Sequence, residues 1–345
     1  MTKKRINYYA WAAAIFTVVF LAWIFAVQEA MAVSRAKFRQ MSGLERLEYY
    51  NNNTKDNDEK LSEGLRIPLP MNYRQEGVAT DVEAIDRIIS IYIPNVSENF
   101  IYEHPIMGSS AGIEAMEAAA SDRGLRVEIK TSQLKEPFLS YENGNMYVSF
   151  KEPREIYKRI VVVDPGHGGE DTGMEMGEHK ESELNLKISK YVRDLLEDKD
   201  IRVYMTRSSE VATTLEDRVS LANELDADAF ISVHCNAEKD DKDVQQGTLV
   251  LYNARDTSGA SLRLAELCMD GVTRSFGSKR LLCQKGDDIH IIRNSKVPVA
   301  LVEVGFMTNA EELAKLIDPD NQRNAAAGII DGVMKAYEKG IIGDD

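Results

Sequence analysis

The pattern of apolar and polar positions changes character several times along the chain, and each change predicts a different kind of structure. An uncharged, mostly apolar run from Ala10 to Val27 follows Lys3, Lys4 and Arg5. A helix of that length reaches across most of a bilayer core. Trp11 and Trp23, with Tyr8 and Tyr9, lie toward its two ends, where amphipathic rings favour the interface. The basic start predicts an N-terminus inside the cell and the rest of the chain outside. Residues 1–32 are therefore expected to form a single-pass anchor in the cell membrane. The competing reading is a signal peptide and a secreted product, because Ala30-Met31-Ala32 has the small-x-small look of a cleavage site. The length of the run, with Gln28 and Glu29 after it, favours the anchor.

Residues 33–80 show little periodicity, and the stretch from Asn51 to Lys60 is almost wholly polar, with Pro68 and Pro70 beyond it. This predicts a solvated linker. From 81 to 155 short alternating runs appear around Ile88, Ile89, Ile91 and Ile93, at Leu125 to Ile129 and at Met146 to Phe150, with glycines between them. They predict a small, mainly-β, sandwich-like module; Glu114 to Ala120 suits a short helix equally well. From 158 to 340 strands and helices alternate. The apolar run Ile160 to Val163 leads the series, later strands are expected near 201–205, 229–233, 248–252 and 299–304, and helices near 183–196, 215–225, 261–276 and 322–337. Such alternation predicts an α/β domain, a mostly parallel twisted sheet covered by helices on both faces, with functional residues at strand ends.

Composition changes this picture only at the margins. A chain of 345 residues is long for one domain, and 28% charged with 43% hydrophobic residues is ordinary for folded protein. A formal net charge of −14 argues against nucleic acid as a partner, which needs a basic face. Cys235, Cys268 and Cys283 have no metal-type spacing and read as buried, inert thiols.

The candidate chemistry sits at three strand ends. The first is Asp164-Pro165-Gly166-His167-Gly168-Gly169-Glu170-Asp171, in which glycines leave the His167 ring exposed. Another is Ser232-Val233-His234-Cys235-Asn236, again a histidine closing an apolar strand. Between them Lys180-Glu181-Ser182-Glu183 places an acidic pair at a helix start, where either carboxylate also suits the helix dipole. Two histidines and one carboxylate match an open catalytic zinc site. The strand Val299-Ala300-Leu301-Val302-Glu303-Val304-Gly305-Phe306 holds one carboxylate inside an apolar run. An unpaired ion there is costly, so Glu303 reads as a general base in preference to a buried ion pair. His104, His179 and His290 read as bystanders. His179 is the nearest alternative ligand, and His290 is expected on an outward-facing strand position.

These segments, together with Glu181-Ser182-Glu183-Leu184-Asn185-Leu186 and Val302-Glu303-Val304-Gly305-Phe306-Met307-Thr308-Asn309, resemble the zinc-dependent N-acetylmuramoyl-L-alanine amidases of the type-3 catalytic domain, across residues 158–340. The resemblance implies zinc held by His167, Glu181 and His234, and Glu303 as the catalytic glutamate. Glu181 is chosen over Glu183 because it stands four residues before Asn185. Ser182 departs from the family, where lysine is common. Thr206-Arg207 and Arg218, with Ala222-Asn223, also resemble family positions; the arginines read as structural ion-pair formers in preference to contacts with anionic substrate. The implied activity is hydrolysis of the peptidoglycan amide between N-acetylmuramic acid and L-alanine, with Asp171 or Asn236 orienting ligands. Rival readings are a zinc carboxypeptidase or endopeptidase on wall peptides, and a non-catalytic wall-binding scaffold.

Overall fold

A computed structural model describes residues 38–53, 59–238 and 245–343. The expected anchor or signal segment, with Ala10–Val27 and Ala30-Met31-Ala32, lies outside the described residues. Among those described, no helix is long and apolar enough to cross a membrane. The chain forms two units, the first reaching Val82 and resuming over Ile88–Phe150, the second taking in Glu83–Arg87 and continuing from Lys151.

The first unit holds helix α1 (Gly43–Asn53), strands β1 (Gly64–Pro68), β2 (Ala79–Glu83) and β3 (Ile88–Pro94), helix α2 (Glu98–Glu103), and strands β4 (Met107–Gly108), β5 (Ile113–Ser121), β6 (Gly124–Thr131), β7 (Glu136–Glu142) and β8 (Asn145–Lys151). They make two four-stranded sheets, β4-β1-β8-β7 and β2-β3-β6-β5. Period-two alternation turns Ile89, Ile91 and Ile93 of β3 and Leu125, Val127 and Ile129 of β6 to one side. These residues share a core with Leu65, Ile67, Met146 and Val148 of the other sheet.

One expectation is corrected here and one open alternative is resolved. Residues 33–80 are not a linker throughout, since α1 buries Leu47 and β1 lies between β4 and β8. The polarity of 51–60 masked these elements, because a five-residue strand offers too few apolar positions to show a period. Glu114 to Ala120 is strand β5, paired along β6.

The second unit comprises α3 (Pro153–Ile156), β9 (Ile160–Pro165), the hairpin β10 (Glu175–Met176) and β11 (His179–Lys180), α4 (Glu181–Glu197), β12 (Arg202–Met205), α5 (Leu215–Glu224), β13 (Ala229–Asn236), β14 (Thr248–Tyr252), α6 (Ala260–Phe276), β15 (Arg280–Lys285), α7 (His290–Arg293), β16 (Val299–Phe306), α8 (Ala310–Leu316) and α9 (Pro319–Glu338). Its sheet has the order β12-β9-β13-β16-β14-β15, parallel at every pairing except β14 against β16. The α/β expectation holds. Alternate residues Val161, Val163, Ile231, Val233, Ala300 and Val302 pack against Ile188, Val192, Leu264 and Ile329 of α4, α6 and α9. The opposite face meets α5 at β9 and α7 at β16. His290 is corrected from strand to the first residue of α7; Ile291 and Ile292 are both buried, which a period of two forbids.

Chain order reverses between β9 and β13, because β9 continues to β12 on one side and β13 adjoins it on the other. That switch point is where open α/β sheets bind ligands, beyond the carboxyl ends of the strands. His167 and His234 emerge there.

Candidate metal centre

Strand β9 is wholly buried as far as Pro165 and apolar except for Asp164. Beyond it the chain turns sharply, with His167 at φ +62°, Gly168 at +131° and Gly169 at +65°. A left-handed backbone is uncommon for a residue with a Cβ, and such strain concentrates at functional sites. Gly166 answers to a different constraint, since a Cβ there would lie 2.2 Å from Cε1 and Nε2 of His234. At Gly173, with φ +66°, a Cβ would stand 2.6 Å from Glu181 Oε2. Both glycines let backbone press against site side chains.

The three predicted ligands come together. Glu181 Oε1 lies 3.2 Å from His167 Nε2 and 3.1 Å from His234 Nδ1, and one ligand atom from each residue falls within 4.8 Å of the others. Glu181 is the first residue of α4, so its side chain points back over the strand ends. Main-chain N–H groups fix it, Met174 donating to Oε2 at 3.0 Å and Cys235 to Oε1 at 3.3 Å. Asn185, one turn on, donates through Nδ2 to Oε1 at 3.3 Å. Glu183 is not in this group. Neither is His179, which pairs with Met176 in the hairpin.

Asp171 holds His167 Nδ1 at 2.9 Å, as expected of an orienting carboxylate. Asn236 does not act this way, since its side chain accepts from Ala237 N–H. Burial alone would push His167 down, but hydrogen bonds and charge from Glu181 and Asp171 outweigh it and push it up to about 9. Glu181 shows the mirror image: burial would raise it, and the two imidazoles hold it well below the usual carboxylate range.

Glu303 stands beside His234 in the register of β16 against β13. Its Oε2 is shut from solvent and has no hydrogen-bond partner. Burial pushes its carboxyl up to about 7, with a lowering influence from His234 and a raising one from Glu181. Cys235 is buried, and burial lifts its thiol well above the ordinary range, which leaves it inert beside the candidate ligands.

Behind the site lies a buried polar network that the sequence only half disclosed. Asp164 accepts from Arg218 Nη1 at 2.6 Å, Thr206 Oγ1 at 2.6 Å and Ser232 Oγ at 2.7 Å. Burial would raise Asp164, but Arg218 and the two hydroxyls hold it below its usual value. Ser232 and Asn185 carried no signal beyond their places in the motifs.

A nitrogen, nitrogen, oxygen donor set with an orienting carboxylate fits zinc. The orphaned Glu303 oxygen adds a proton acceptor beside it. Comparison with known proteins agrees in kind. The sequence profile of the N-acetylmuramoyl-L-alanine amidases matches residues 161–335. LytC, an N-acetylmuramoyl-L-alanine amidase of Bacillus subtilis, is 33% identical over 182 residues, 53% of this chain and 36% of LytC. The germination-specific N-acetylmuramoyl-L-alanine amidase of the same organism is 30% identical over 197 residues, 53% of this chain and 81% of its own length. A solved N-acetylmuramoyl-L-alanine amidase from Clostridium difficile is 32% identical, covers 52% of this chain and 97% of its own, and superposes with a TM-score of 0.49.

Proposed function

The chain belongs to the N-acetylmuramoyl-L-alanine amidase family, and from that premise we propose that His167, Glu181 and His234 hold zinc while Glu303 carries the proton. The protein is a peptidoglycan hydrolase that cuts the amide between N-acetylmuramic acid and the L-alanine of the stem peptide. What supports zinc is the convergence of the three ligand atoms within 4.8 Å at the switch point of the sheet.

When bound, zinc supplies Lewis acidity, polarising a carbonyl oxygen and acidifying water. The chain's own residues do the rest. Asp171 fixes the tautomer of His167 by accepting a hydrogen bond from Nδ1–H, which leaves the lone pair of Nε2 free to hold the metal. Met174 and Cys235 N–H groups hold the Glu181 carboxylate so that Oε1 faces both rings. Glu303 Oε2 accepts a proton from the attacking water and returns it to the amide nitrogen. The carbon–oxygen bond forms, the carbon–nitrogen bond breaks, and a neutral amine leaves. A carboxyl with a pKa of about 7 is matched to exchanging protons near neutrality.

The substrate lies outside the cytoplasmic membrane, so we assign the run Ala10–Val27 the role of anchor, with the catalytic unit on the outer side. Protease added to wall-stripped cells then degrades the catalytic unit and leaves a membrane-bound fragment. A soluble mature protein starting near Val33 would favour signal cleavage instead.

Mass spectrometry of peptidoglycan treated with the purified full chain, before and after chelation and zinc restoration, tests the reaction. Free glycan and intact stems appearing only with metal is the expected result. Released terminal amino acids would point to a carboxypeptidase, and unchanged peptidoglycan to a scaffold.

A further inference from the structure

The turn that carries His167 is held from behind by two buried cations, Arg207 and Arg218, each only 3% exposed. Three successive carbonyls are involved. Pro165 O accepts from Arg207 Nε at 3.0 Å and from Arg218 Nη1 at 2.7 Å. Gly166 O accepts from Arg207 Nη2 at 3.0 Å, with Asn185 Nδ2 at 3.3 Å. His167 O accepts from Arg218 Nη2 at 2.6 Å.

Both guanidinium groups are tied to the other ligand-bearing segments. Arg207 Nη2 also donates to Ser182 O at 2.8 Å, next to Glu181. Arg218 Nη1 meets Asp164, which accepts from Ser232 two residues before His234. Arg207 Nη1 donates to Ser209 O and Glu210 Oε1, so all five of its N–H groups are used. Its one carboxylate partner is 41% exposed, and most of its donors go to main-chain oxygens. A buried cation arranged this way is a poor device for stability by charge pairing. It is a good one for fixing backbone.

We propose that Arg207 and Arg218 are positioning residues of the metal centre, holding His167 in its left-handed conformation and setting its place relative to Glu181. This rests on the zinc reading above. A left-handed non-glycine residue is strained, and it persists only where its surroundings over-determine it. Seizing the carbonyls on both sides of the strained residue does this. A lysine in either place keeps the charge but offers no planar fork, and so cannot span two carbonyls in fixed directions.

The test uses Arg207→Lys and Arg218→Lys in the full chain, with His167→Ala as control. Three readings are made on one preparation: zinc affinity by competition with a chromogenic chelator, the visible spectrum of the cobalt-substituted protein, and melting of the metal-free form. Loss of an outer-shell partner typically costs about 10–100-fold in metal affinity. Such a loss is expected for both variants, with an altered cobalt spectrum that signals changed ligand geometry. A purely structural role lowers melting alone. Wild-type affinity and an unchanged cobalt spectrum in either folded variant would overturn the proposal. Arg207→Lys leaves the Arg218–Asp164 pair intact, so it decides the matter if Arg218→Lys does not fold. His167→Ala separates the premises: if that variant keeps wild-type zinc affinity, the zinc reading itself fails.

Discussion

Replacing Glu303 with glutamine separates what the residue does for catalysis from what it does to stability, and the two effects run in opposite directions. Glutamine keeps the volume but cannot accept a proton, and loss of a general base typically costs ~10²–10⁴ in rate. The stability effect follows from burial. In the metal-free fold the carboxyl is pushed up from 4.5 to about 7. Between those values the unfolded chain has released the proton and the folded one still holds it, so stability falls as pH rises. The fall begins near the unfolded value of 4.5, runs through the folded value of about 7, and is complete above it. At 1.36 kcal/mol for each unit it amounts to at most about 3 kcal/mol. Glutamine has no such dependence. Melting of metal-free wild type and Glu303→Gln, measured at pH 4 and pH 8, should show the wild type losing ground to the variant by that amount. Zinc content and turnover are read on the same preparations. A gap in stability that stays constant with pH would refute the burial argument. A folded, zinc-loaded variant cutting muropeptides at near wild-type rate would refute the base.

Three further outcomes are expected. His167→Ala and His234→Ala should each lose bound zinc and activity, and Glu181→Gln should be far more severe than Glu183→Gln, as metal analysis and turnover will show. Gly166→Ala should lower zinc affinity at least about tenfold, in the range for disturbed ligand support, because its Cβ would stand 2.2 Å from the His234 ring; competition titration reads this directly. Asp164→Asn strips Arg218 of a buried carboxylate at 2.6 Å and should cost about 3–5 kcal/mol in denaturant unfolding. The wild-type Asp164 contribution is present above the unfolded carboxylate pKa and is lost as pH falls through the lower folded value, so the variant's unfolding should show less acid dependence.

The residues that converge at the candidate metal centre were legible because their signals are local. A single histidine closing an apolar strand has an ordinary structural explanation, but His167 and His234, closing two strands of one α/β domain, together point to a metal. From the residues alone Glu181 and Glu183 were equivalent, both acidic and both in the first helical turn. The fold separates them, since two residues of helix turn a side chain through about 200° and only the first faces the rings. The β module was readable through Ile89, Ile91 and Ile93, whose burial alternates strictly, but α1 and β1 were hidden by the polar run beside them. His290 misled because three isoleucines near a histidine resemble a strand, whereas two adjacent buried isoleucines belong to a helical turn.

The arginines were less legible for a physical reason. An arginine is usually exposed and usually paired with a carboxylate, and both signals lie in side chains that a sequence displays. Arg207 departs from that pattern by giving most of its donors to main-chain carbonyls, and every residue has one of those. The strain at His167 is equally silent, because φ of +62° belongs to the path of the chain and not to the residue type. What was readable is the chemistry a metal needs. The means of presenting it arises only when Pro165, Gly166 and His167 turn their carbonyls toward two distant arginines. It follows that substitutions conserving charge at 207 and 218 should be more damaging to metal binding than charge counting predicts.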